Sequence, residues 1–325
     1  MNCYPIIILC GEPNSVFSEI FVKAVKKYKN NNPIILLGSK RLFQLQLKKL
    51  KMNYNFNFIN FKNNKFINLS FKKINFLDVK YKFNKPFEKI SSKSNSYINK
   101  CFKILFKITK NNKISGIING PISKKFFLKN KFQGITEFLA SKFKVKKNFA
   151  MLIYNKSLAV TPITTHLPIN KILKNIDKKS IILKTILVDK FYKDNFLKKP
   201  RIAICGLNPH CENFFNKSEE DKIIQPAINY LKKKRIDISG PFPSDTIFLR
   251  QNRKKFDVII GMYHDQVLGP LKAIYGFNAI NITLGLPVLR ISPDHGPNYQ
   301  MVGKNKSNSQ SLIKAIRFLD NKKCL

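Results

Sequence analysis

The chain has few acidic residues, only four histidines and no tryptophan. Asp and Glu together number 18 against 60 Lys and Arg in 325 residues, which gives a formal net charge of +42. Such an excess is typical of proteins that bind nucleic acid or anionic surfaces. However, the lysines are scattered among Asn, Ile and Phe, as AT-rich codons would supply them, and no basic helix, zinc finger or RNP signature accompanies them. We therefore expect no nucleic-acid partner, although the charge favours anionic ligands such as phosphates and dinucleotides.

Long apolar runs are also missing. No stretch approaches the roughly 20 residues of a membrane-spanning helix, and the apolar run at residues 5–10 has neither the basic start nor the cleavage site of a signal peptide. The six cysteines form no C-x-x-C pair, and Cys10 and Cys205 lie in apolar runs typical of buried strands. Cys211 is either a metal ligand or, as we favour, a small apolar side chain in a loop. This pattern predicts reduced thiols, a cytoplasmic location and no membrane partner.

What the chain does contain is an alternation of short β-branched runs and amphipathic stretches. This alternation predicts an α/β fold with a largely parallel sheet and helices on both faces, and the length suits two such domains. The predicted strands cover residues 5–10, 33–37, 114–118, 149–153, 158–162, 202–205, 258–260 and 279–282. The predicted helices cover about residues 15–29, 95–111, 178–191, 219–233 and 310–319.

Residues 41–100 carry no functional motif. Their phenylalanines are interleaved with lysine in no regular pattern, so we expect core aromatics there rather than a platform on which bases stack. The predicted core residues are Phe56, Phe58, Phe61, Phe66, Phe71 and Phe76.

Each of the four histidines sits in a short polar segment. His166 occurs in T-T-H-L-P, His210 in L-N-P-H, His264 in M-Y-H-D-Q and His295 in D-H-G-P. The first three follow predicted strands, and open α/β sheets bind their ligands at the carboxyl ends of strands. Three imidazoles with an open coordination position suit a catalytic divalent ion such as Zn²⁺. We favour that interpretation over the alternative, in which each is an ordinary hydrogen-bonded structural histidine.

A series of short motifs runs through residues 5–13 and about 114–320 in a fixed order. They are G-E-P at 11–13, G-P at 120–121, T-E-F-L-A at 136–140, T-T-H-L-P at 164–168, L-N-P-H at 207–210, G-P at 240–241, D-T at 245–246, M-Y-H-D-Q at 262–266, N-I-T-L-G-L-P at 281–287 and D-H-G at 294–296, together with Arg290 and Ser292. In this combination the chain resembles the 4-hydroxythreonine-4-phosphate dehydrogenases of vitamin B6 biosynthesis.

The resemblance implies an architecture like that of isocitrate and isopropylmalate dehydrogenases, with two α/β/α domains around a central cleft. The first domain is expected to comprise residues 1–135 and 296–325. The second, residues 136–295, is expected to contain the metal site and the interface of a homodimer. In that family three histidines contributed across the subunit boundary hold a divalent metal, Zn²⁺ or Mg²⁺ or Co²⁺, and they correspond here to His166, His210 and His264.

The resemblance also assigns roles to individual residues. The substrate contacts correspond to Ile135, Thr136, Lys272, Asn281 and Arg290. The cofactor is NAD or NADP, and its adenosine is expected to lie against Asp294, His295, Gly296 and Gly303. The candidates for a proton acceptor, or for a group that orients a histidine, are Asp245, Asp265 and Lys272.

The implied reaction is oxidation of 4-phosphohydroxy-L-threonine at C3, followed by decarboxylation to 3-amino-2-oxopropyl phosphate. One departure matters, because the family's G-H-T-E motif is G-I-T-E here and Ile135 replaces a substrate-binding histidine. That change keeps open a sister activity on a sugar-acid phosphate or a dihydrodiol carboxylate. A third hypothesis is a basic, non-catalytic binding protein, which leaves the histidine-containing segments unexplained.

Overall fold

The computed structural model describes residues 4–128, 131–211, 218–276, 278–293 and 296–321. The chain divides into two compact units, which we call unit 1 (Met1–Phe138 with Pro287–Leu325) and unit 2 (Leu139–Leu286). Each unit contains helices and a mostly parallel sheet, so the predicted α/β class is confirmed. The domain boundaries expected from the sequence, and the dimer interface assigned to the second domain, stay predictions.

The described residues form strands and helices that alternate along much of the chain. The strands are β1 Ile6–Leu9, β2 Ile34–Gly38, β3 Asn57–Lys62, β4 Lys65–Ile67, β5 Asn75–Asp78, β6 Gly116–Asn119, β7 Ala150–Tyr154, β8 Ala159–Thr164, β9 Ile202–Cys205, β10 Ile238–Phe242, β11 Val258–Tyr263, β12 Ile280–Leu284 and β13 Arg290–Pro293. The α-helices are α1 Phe17–Lys27, α2 Lys40–Lys49, α3 Asn95–Asn111, α4 Ile135–Lys142, α5 Ile169–Ile172, α6 Lys178–Phe196, α7 Gln225–Lys233, α8 Arg250–Arg253, α9 His264–Tyr275 and α10 Gln310–Asp320.

The sheet of unit 1 has the strand order β13-β6-β1-β2-β5-β3-β4. All neighbours in it are parallel except β3 and β4, which form an antiparallel pair. Its central strands are short apolar runs that are buried along their whole length, β1 and β2 among them. Strands with helices on both faces have no solvent side, and this is why they lack the alternation of an amphipathic strand.

The sheet of unit 2 has the strand order β10-β9-β11-β8-β7-β12. Strands β10, β9, β11 and β8 run parallel to one another, whereas β7 is antiparallel to both β8 and β12. Parallel neighbours end at the same edge of a sheet, so the loops that follow β8, β9 and β11 start side by side at one edge of the sheet of unit 2.

The phenylalanine-rich region contains α2, β3, β4 and β5. Phe56 and Phe76 are buried and pack edge-to-face with ring centroids 5.4 Å apart, as the sequence predicts for core aromatics. The same prediction is wrong for Phe58 and Phe71, which are 40% and 60% exposed. Phe58 lies on the outward side of β3, where the ammonium of Lys40 covers its ring at 3.6 Å from the centroid. Phe71 lies in a bend between strands.

The helix predicted at residues 219–233 is only partly observed as an α-helix. The sequence predicts one continuous helix there, but the chain forms a wide π-helical turn at Glu220–Ile224 before α7 begins. Pro226 stands in the first turn of α7 and has no backbone N–H to donate to the preceding turn. The helix predicted at 95–111 is observed with those bounds as α3.

Two other expectations concern cysteines and membranes. Cys10 and Cys205 are buried, and Cys10, Cys101, Cys205 and Cys211 are free within the described parts of the chain. Among the helices that the structure describes, not one combines the length and the apolar character needed to cross a bilayer.

Candidate functional site

Three of the four histidines lie just beyond the carboxyl ends of neighbouring parallel strands in unit 2. His166 follows β8, His210 follows β9 and His264 follows β11. These strands are adjacent, in the order β9-β11-β8. The expectation that each histidine follows a strand end is therefore met, and all three loops start from one edge of the sheet.

His166 and His264 are brought together by the pairing of β8 with β11. Thr164 pairs with Tyr263, the last residue of its strand, and the imidazole rings that follow have centroids 5.7 Å apart. Two imidazoles that share one tetrahedral zinc ion at ordinary Zn–N distances have centroids about 5 Å apart. The observed spacing therefore fits two ligands of a single ion. His166 adopts a left-handed backbone conformation with φ of 42°, which turns the chain sharply after β8.

His264 has a carboxylate partner. Its Nδ1 lies 2.7 Å from Oδ1 of Asp265, and this contact leaves Nε2 as the ring atom available to a ligand. A metal-binding histidine commonly donates its other ring N–H to a carboxylate, which fixes the ring orientation. The contact is compatible with Asp265 as a group that orients a histidine, one of the two roles for which the sequence made it a candidate, and that role stays a prediction.

The loop that carries His210 is held by a buried carboxylate. Oε1 of Glu220 accepts hydrogen bonds from the backbone N–H groups of Leu207 and Asn208 at 2.7 and 2.8 Å. Its Oε2 accepts from Nδ2 of Asn208 at 2.7 Å. Burial alone would raise the pKa of Glu220, but these hydrogen bonds favour the ionised form and hold the pKa below its ordinary value. The sequence reasoning did not identify Glu220 as part of the site.

The turn at Pro209–Cys211 places His210 at the surface. Sγ of Cys211 lies against Gly206, so that a Cβ on Gly206 would be 2.4 Å from the sulfur. Burial raises the pKa of the Cys211 thiol, and the nearby carboxylates of Glu220 and Asp245 add to that shift. Asp245, a second catalytic candidate, is therefore an exposed carboxylate close to the turn that carries His210.

The described part of one chain contains two histidines close together but not a set of three ligands. Within the described residues, His, Cys, Asp and Glu side chains form no group of three that could hold a metal ion. The structure brings His166 and His264 together, and it does not add His210 to that pair within the chain.

A second polar cluster lies in unit 1 around Arg290, at the start of β13. The side chain of Arg290 is completely buried. Its Nε donates to Oδ1 of Asn119 at 2.7 Å, and its Nη1 donates to Oγ1 of Thr136 at 3.4 Å. Burial lowers the pKa of Arg290 to about 9 while the charge of Glu137 opposes the shift, so the guanidinium stays charged at neutral pH.

This cluster unites two of the predicted substrate residues, Thr136 and Arg290, with a residue that sequence reasoning missed. Asn119 is buried at the carboxyl end of β6. The signal for it was present in the sequence, since an asparagine that follows an apolar strand and precedes Gly120-Pro121 stands where ligand sites form in α/β sheets.

The other predicted substrate residues occupy separate positions. Ile135 is the half-buried first residue of α4. Lys272 is exposed, two turns along α9 from its start at His264. Asn281 lies on β12, where its Nδ2 contacts Sδ of Met151 at 3.6 Å. The buried Oδ1 of Asn281 has no hydrogen-bond partner among the described residues.

Of the four residues predicted to contact the cofactor, Asp294 and His295 lie outside the described residues. Gly296 is exposed with open space around it, and Gly303 has φ of +75°. The segment between them contacts the start of α1, because the backbone N–H of Val16 donates to the carbonyl of Pro297 at 3.3 Å. The cofactor role of this segment stays a prediction.

Comparisons with known proteins place the chain among related sequences and structures. The family described as Pyridoxal phosphate biosynthetic protein PdxA matches residues 29–319. A 4-hydroxythreonine-4-phosphate dehydrogenase of Sulfurihydrogenibium sp. is 36% identical over 318 residues, which is 95% of each chain. A D-threonate 4-phosphate dehydrogenase of Cupriavidus necator is 36% identical over 215 residues, 65% of this chain and 64% of the relative. The crystal structure of a 4-hydroxythreonine-4-phosphate dehydrogenase from Klebsiella pneumoniae superimposes with a TM-score of 0.82 at 26% identity, covering 97% of this chain and 98% of that one.

The hydrogen bonds from Leu207 and Asn208 to Glu220 predict that the stability of the chain depends on pH in a specific way. Because its pKa is lower in the folded chain, ionised Glu220 stabilises the fold above the ordinary carboxyl value of about 4.3, and this contribution is lost as the pH falls through the folded value. Glu220→Gln should therefore lower the free energy of unfolding by about 1–3 kcal/mol at pH 7, and the difference from the unaltered chain should shrink below about pH 4.

Denaturant unfolding at a series of pH values measures this difference. Glu219→Gln is the matched control, since the hydrogen bond of Glu219 within the described residues is to the side-chain Nδ2 of Asn208 and not to the backbone. If the free energies of unfolding of Glu220→Gln and the unaltered chain differ by the same amount from pH 7 to pH 3, ionised Glu220 does not stabilise the loop.

Proposed function

The chain belongs to the PdxA family of pyridoxal phosphate biosynthetic proteins, and we propose that it is a metal-dependent dehydrogenase of 4-phosphohydroxy-L-threonine. It oxidises the substrate at C3 with NAD, or with NADP, and releases carbon dioxide to give 3-amino-2-oxopropyl phosphate. The single observation that carries the proposal is the pair of imidazoles of His166 and His264, 5.7 Å apart at the carboxyl ends of adjacent parallel strands.

The side chains present suit a divalent cation. Two imidazoles from one chain supply neutral nitrogen ligands at a spacing compatible with one ion, and Asp265 orients the second of them. We propose that His210 of a second copy completes the set, so that the enzyme works as a homodimer. When bound, the metal supplies Lewis acidity that lowers the pKa of the substrate hydroxyl and stabilises the negative charge that develops on decarboxylation.

The residues of unit 1 suit an anionic part of the substrate. Arg290 is a permanent cation, and its hydrogen bonds to Asn119 and Thr136 fix the plane of its guanidinium. A fixed planar donor binds a phosphate or carboxylate with little loss of side-chain entropy. Lys272, an exposed ammonium, and Asn281, an amide, are the candidates for substrate contacts in unit 2.

Proton transfer needs a base for the C3 hydroxyl, and the nicotinamide accepts the hydride. Because Asp265 is engaged with Nδ1 of His264 and the ammonium of Lys272 has no lone pair to accept a proton, we assign the proton to Asp245, with the neutral amine form of Lys272 as the alternative base. We propose that Gly296 and Gly303, together with Asp294 and His295, contact the adenosine of the cofactor.

A sister activity is the second candidate, and two observations favour keeping it. One relative is named for D-threonate 4-phosphate, a compound that carries a hydroxyl at C2 where 4-phosphohydroxy-L-threonine carries an amine. In addition, Ile135 occupies the position of the substrate-binding histidine. The whole-length similarity to a 4-hydroxythreonine-4-phosphate dehydrogenase favours the amine-containing substrate.

A steady-state assay of the purified protein tests the assignment. We expect NADH to form from 4-phosphohydroxy-L-threonine with kcat/KM at least tenfold higher than from D-threonate 4-phosphate. A chelator or His264→Ala should abolish it, because both remove the ion. A preference for D-threonate 4-phosphate would overturn the substrate and keep the metal chemistry, whereas chelator-resistant activity would overturn the metal.

The shared site predicts a pattern of complementation between inactive variants. His166→Ala and His210→Ala homodimers should each be inactive, yet a refolded equal mixture should recover about a quarter of the normal activity, because half of the dimers are mixed and each mixed dimer has one intact site. The matched mixture of His166→Ala with His264→Ala should stay inactive, since those two ligands come from the same chain. Equal recovery in both mixtures, or in neither, would refute the shared arrangement.

Ile135 predicts a gain of function. A histidine at this position, the first residue of α4, adds a donor for the substrate phosphate beside Thr136. Ile135→His should lower KM for 4-phosphohydroxy-L-threonine by roughly 5- to 100-fold, equivalent to about 1–3 kcal/mol, with a smaller effect on kcat. Ile135→Asn is the control for polarity without a ring. An unchanged KM in Ile135→His would show that the substrate does not reach this position.

A further inference from the structure

Gln266 is a buried amide between two of the histidine segments. It stands two residues after His264 in the M-Y-H-D-Q motif and is 6% exposed. Its Oε1 accepts a hydrogen bond from the backbone N–H of Met262 at 2.6 Å, and its Nε2 donates to the carbonyl of Gly206 at 2.7 Å. One side chain thus connects the end of β11, which leads to His264, with the residue that follows β9 and leads to His210.

These two hydrogen bonds lie where the sheet itself stops connecting the two segments. Strands β9 and β11 pair in parallel as far as Ile204 with Ile260. Beyond that point Gly206 donates its N–H to the carbonyl of Phe242, on the other side of β9. The amide of Gln266 therefore supplies a connection between β9 and β11 that the backbone ladder no longer makes.

Two glycines lie close to the polar side chains that hold these segments. A Cβ on Gly261 would lie 2.9 Å from Oε1 of Gln266, and a Cβ on Gly206 would lie 2.9 Å from Oε1 of Glu220. The loop of His210 is thus held by two buried polar side chains, Glu220 from the π-helical turn and Gln266 from α9.

We propose that Gln266 is a positioning residue for the metal site, which fixes the segment of His210 relative to that of His264. The inference rests on the metal site proposed above. Gln266 does not touch the ion and acts through the backbone of Gly206 and Met262. In the proposed dimer each ion takes ligands from both chains. The position of the His210 segment relative to the His264 segment then decides whether His210 of one copy reaches His166 and His264 of the other.

The alternative is that Gln266 serves only to satisfy buried backbone groups, as any buried amide does. Gln46 of unit 1 separates the two explanations. It is buried to a similar degree, 3% exposed, and its Nε2 donates to the carbonyls of Pro13 and Pro86 at 2.7 and 2.8 Å. Gln46 holds two loops together in the same manner but belongs to the unit without the three histidines.

The test is the zinc affinity of the full-length dimer, measured by competition with a chromogenic chelator, beside the thermal midpoint of the metal-free protein. Gln266→Met should weaken zinc binding by 10- to 100-fold, the range seen when a group that supports a metal ligand is removed. Gln46→Met should lower the thermal midpoint to a similar extent and change zinc affinity by less than threefold. Gln266→Glu is the second variant, used if Gln266→Met fails to fold. It keeps the oxygen that accepts from the N–H of Met262 and loses the N–H that donates to the carbonyl of Gly206.

The outcomes separate the inference from the proposed function. If the unaltered protein binds no zinc, the metal site and the inference both fail. If it binds zinc and Gln266→Met and Gln266→Glu bind it equally well, the metal site stands and the positioning role is refuted. Equal losses of affinity in the Gln266 and Gln46 variants would likewise refute it, because they would reflect general destabilisation.

Discussion

The site depends on the parallel pairing of β8, β9 and β11. Parallel strands in register end at the same edge of a sheet, and this brings three loops from distant parts of the sequence to one place. The pairing of Thr164 with Tyr263 has a direct chemical consequence, since it sets the distance between the imidazoles that follow. A slip of one residue in that pairing would move one ring by about 3.3 Å along the strand and turn the strand's side chains to the opposite face.

The edge of the sheet brings the loops close together but does not hold them rigidly, and buried polar side chains fix their positions. Glu220 holds Leu207 and Asn208, Gln266 joins Gly206 to Met262, and Asn119 holds Nε of Arg290. In each case a buried side chain forms hydrogen bonds with groups of another segment, so movement of that segment costs those hydrogen bonds. The charged Arg290 is stable in its buried position because such partners and the charge of Glu137 surround it.

The sequence predicted what is local and periodic. Buried strands appear as apolar runs, so most strand positions, the α/β class and the places of His166, His210 and His264 after strand ends followed from short windows of residues. The amphipathic pattern also gave α3 its exact bounds. Predictions failed where the deciding interaction was distant or a single residue changed the geometry, as with the exposed Phe58 and the π-helical turn before Pro226.

Gln266 and Glu220 could not have been found in the same way, because their function lies in contacts made across 60 and 13 residues of sequence. Nothing in a local pattern distinguishes a glutamine that joins two loops from one that faces solvent. The composition makes them harder to recognise, because with 60 basic residues in the chain a single polar side chain does not stand out. The motifs nevertheless contain the relevant clue. Gly206 lies against Sγ of Cys211 and Oε1 of Glu220, and Gly261 lies against Cγ1 of Val267 and Oε1 of Gln266. Such close contacts can be recognised only once the strands are placed side by side.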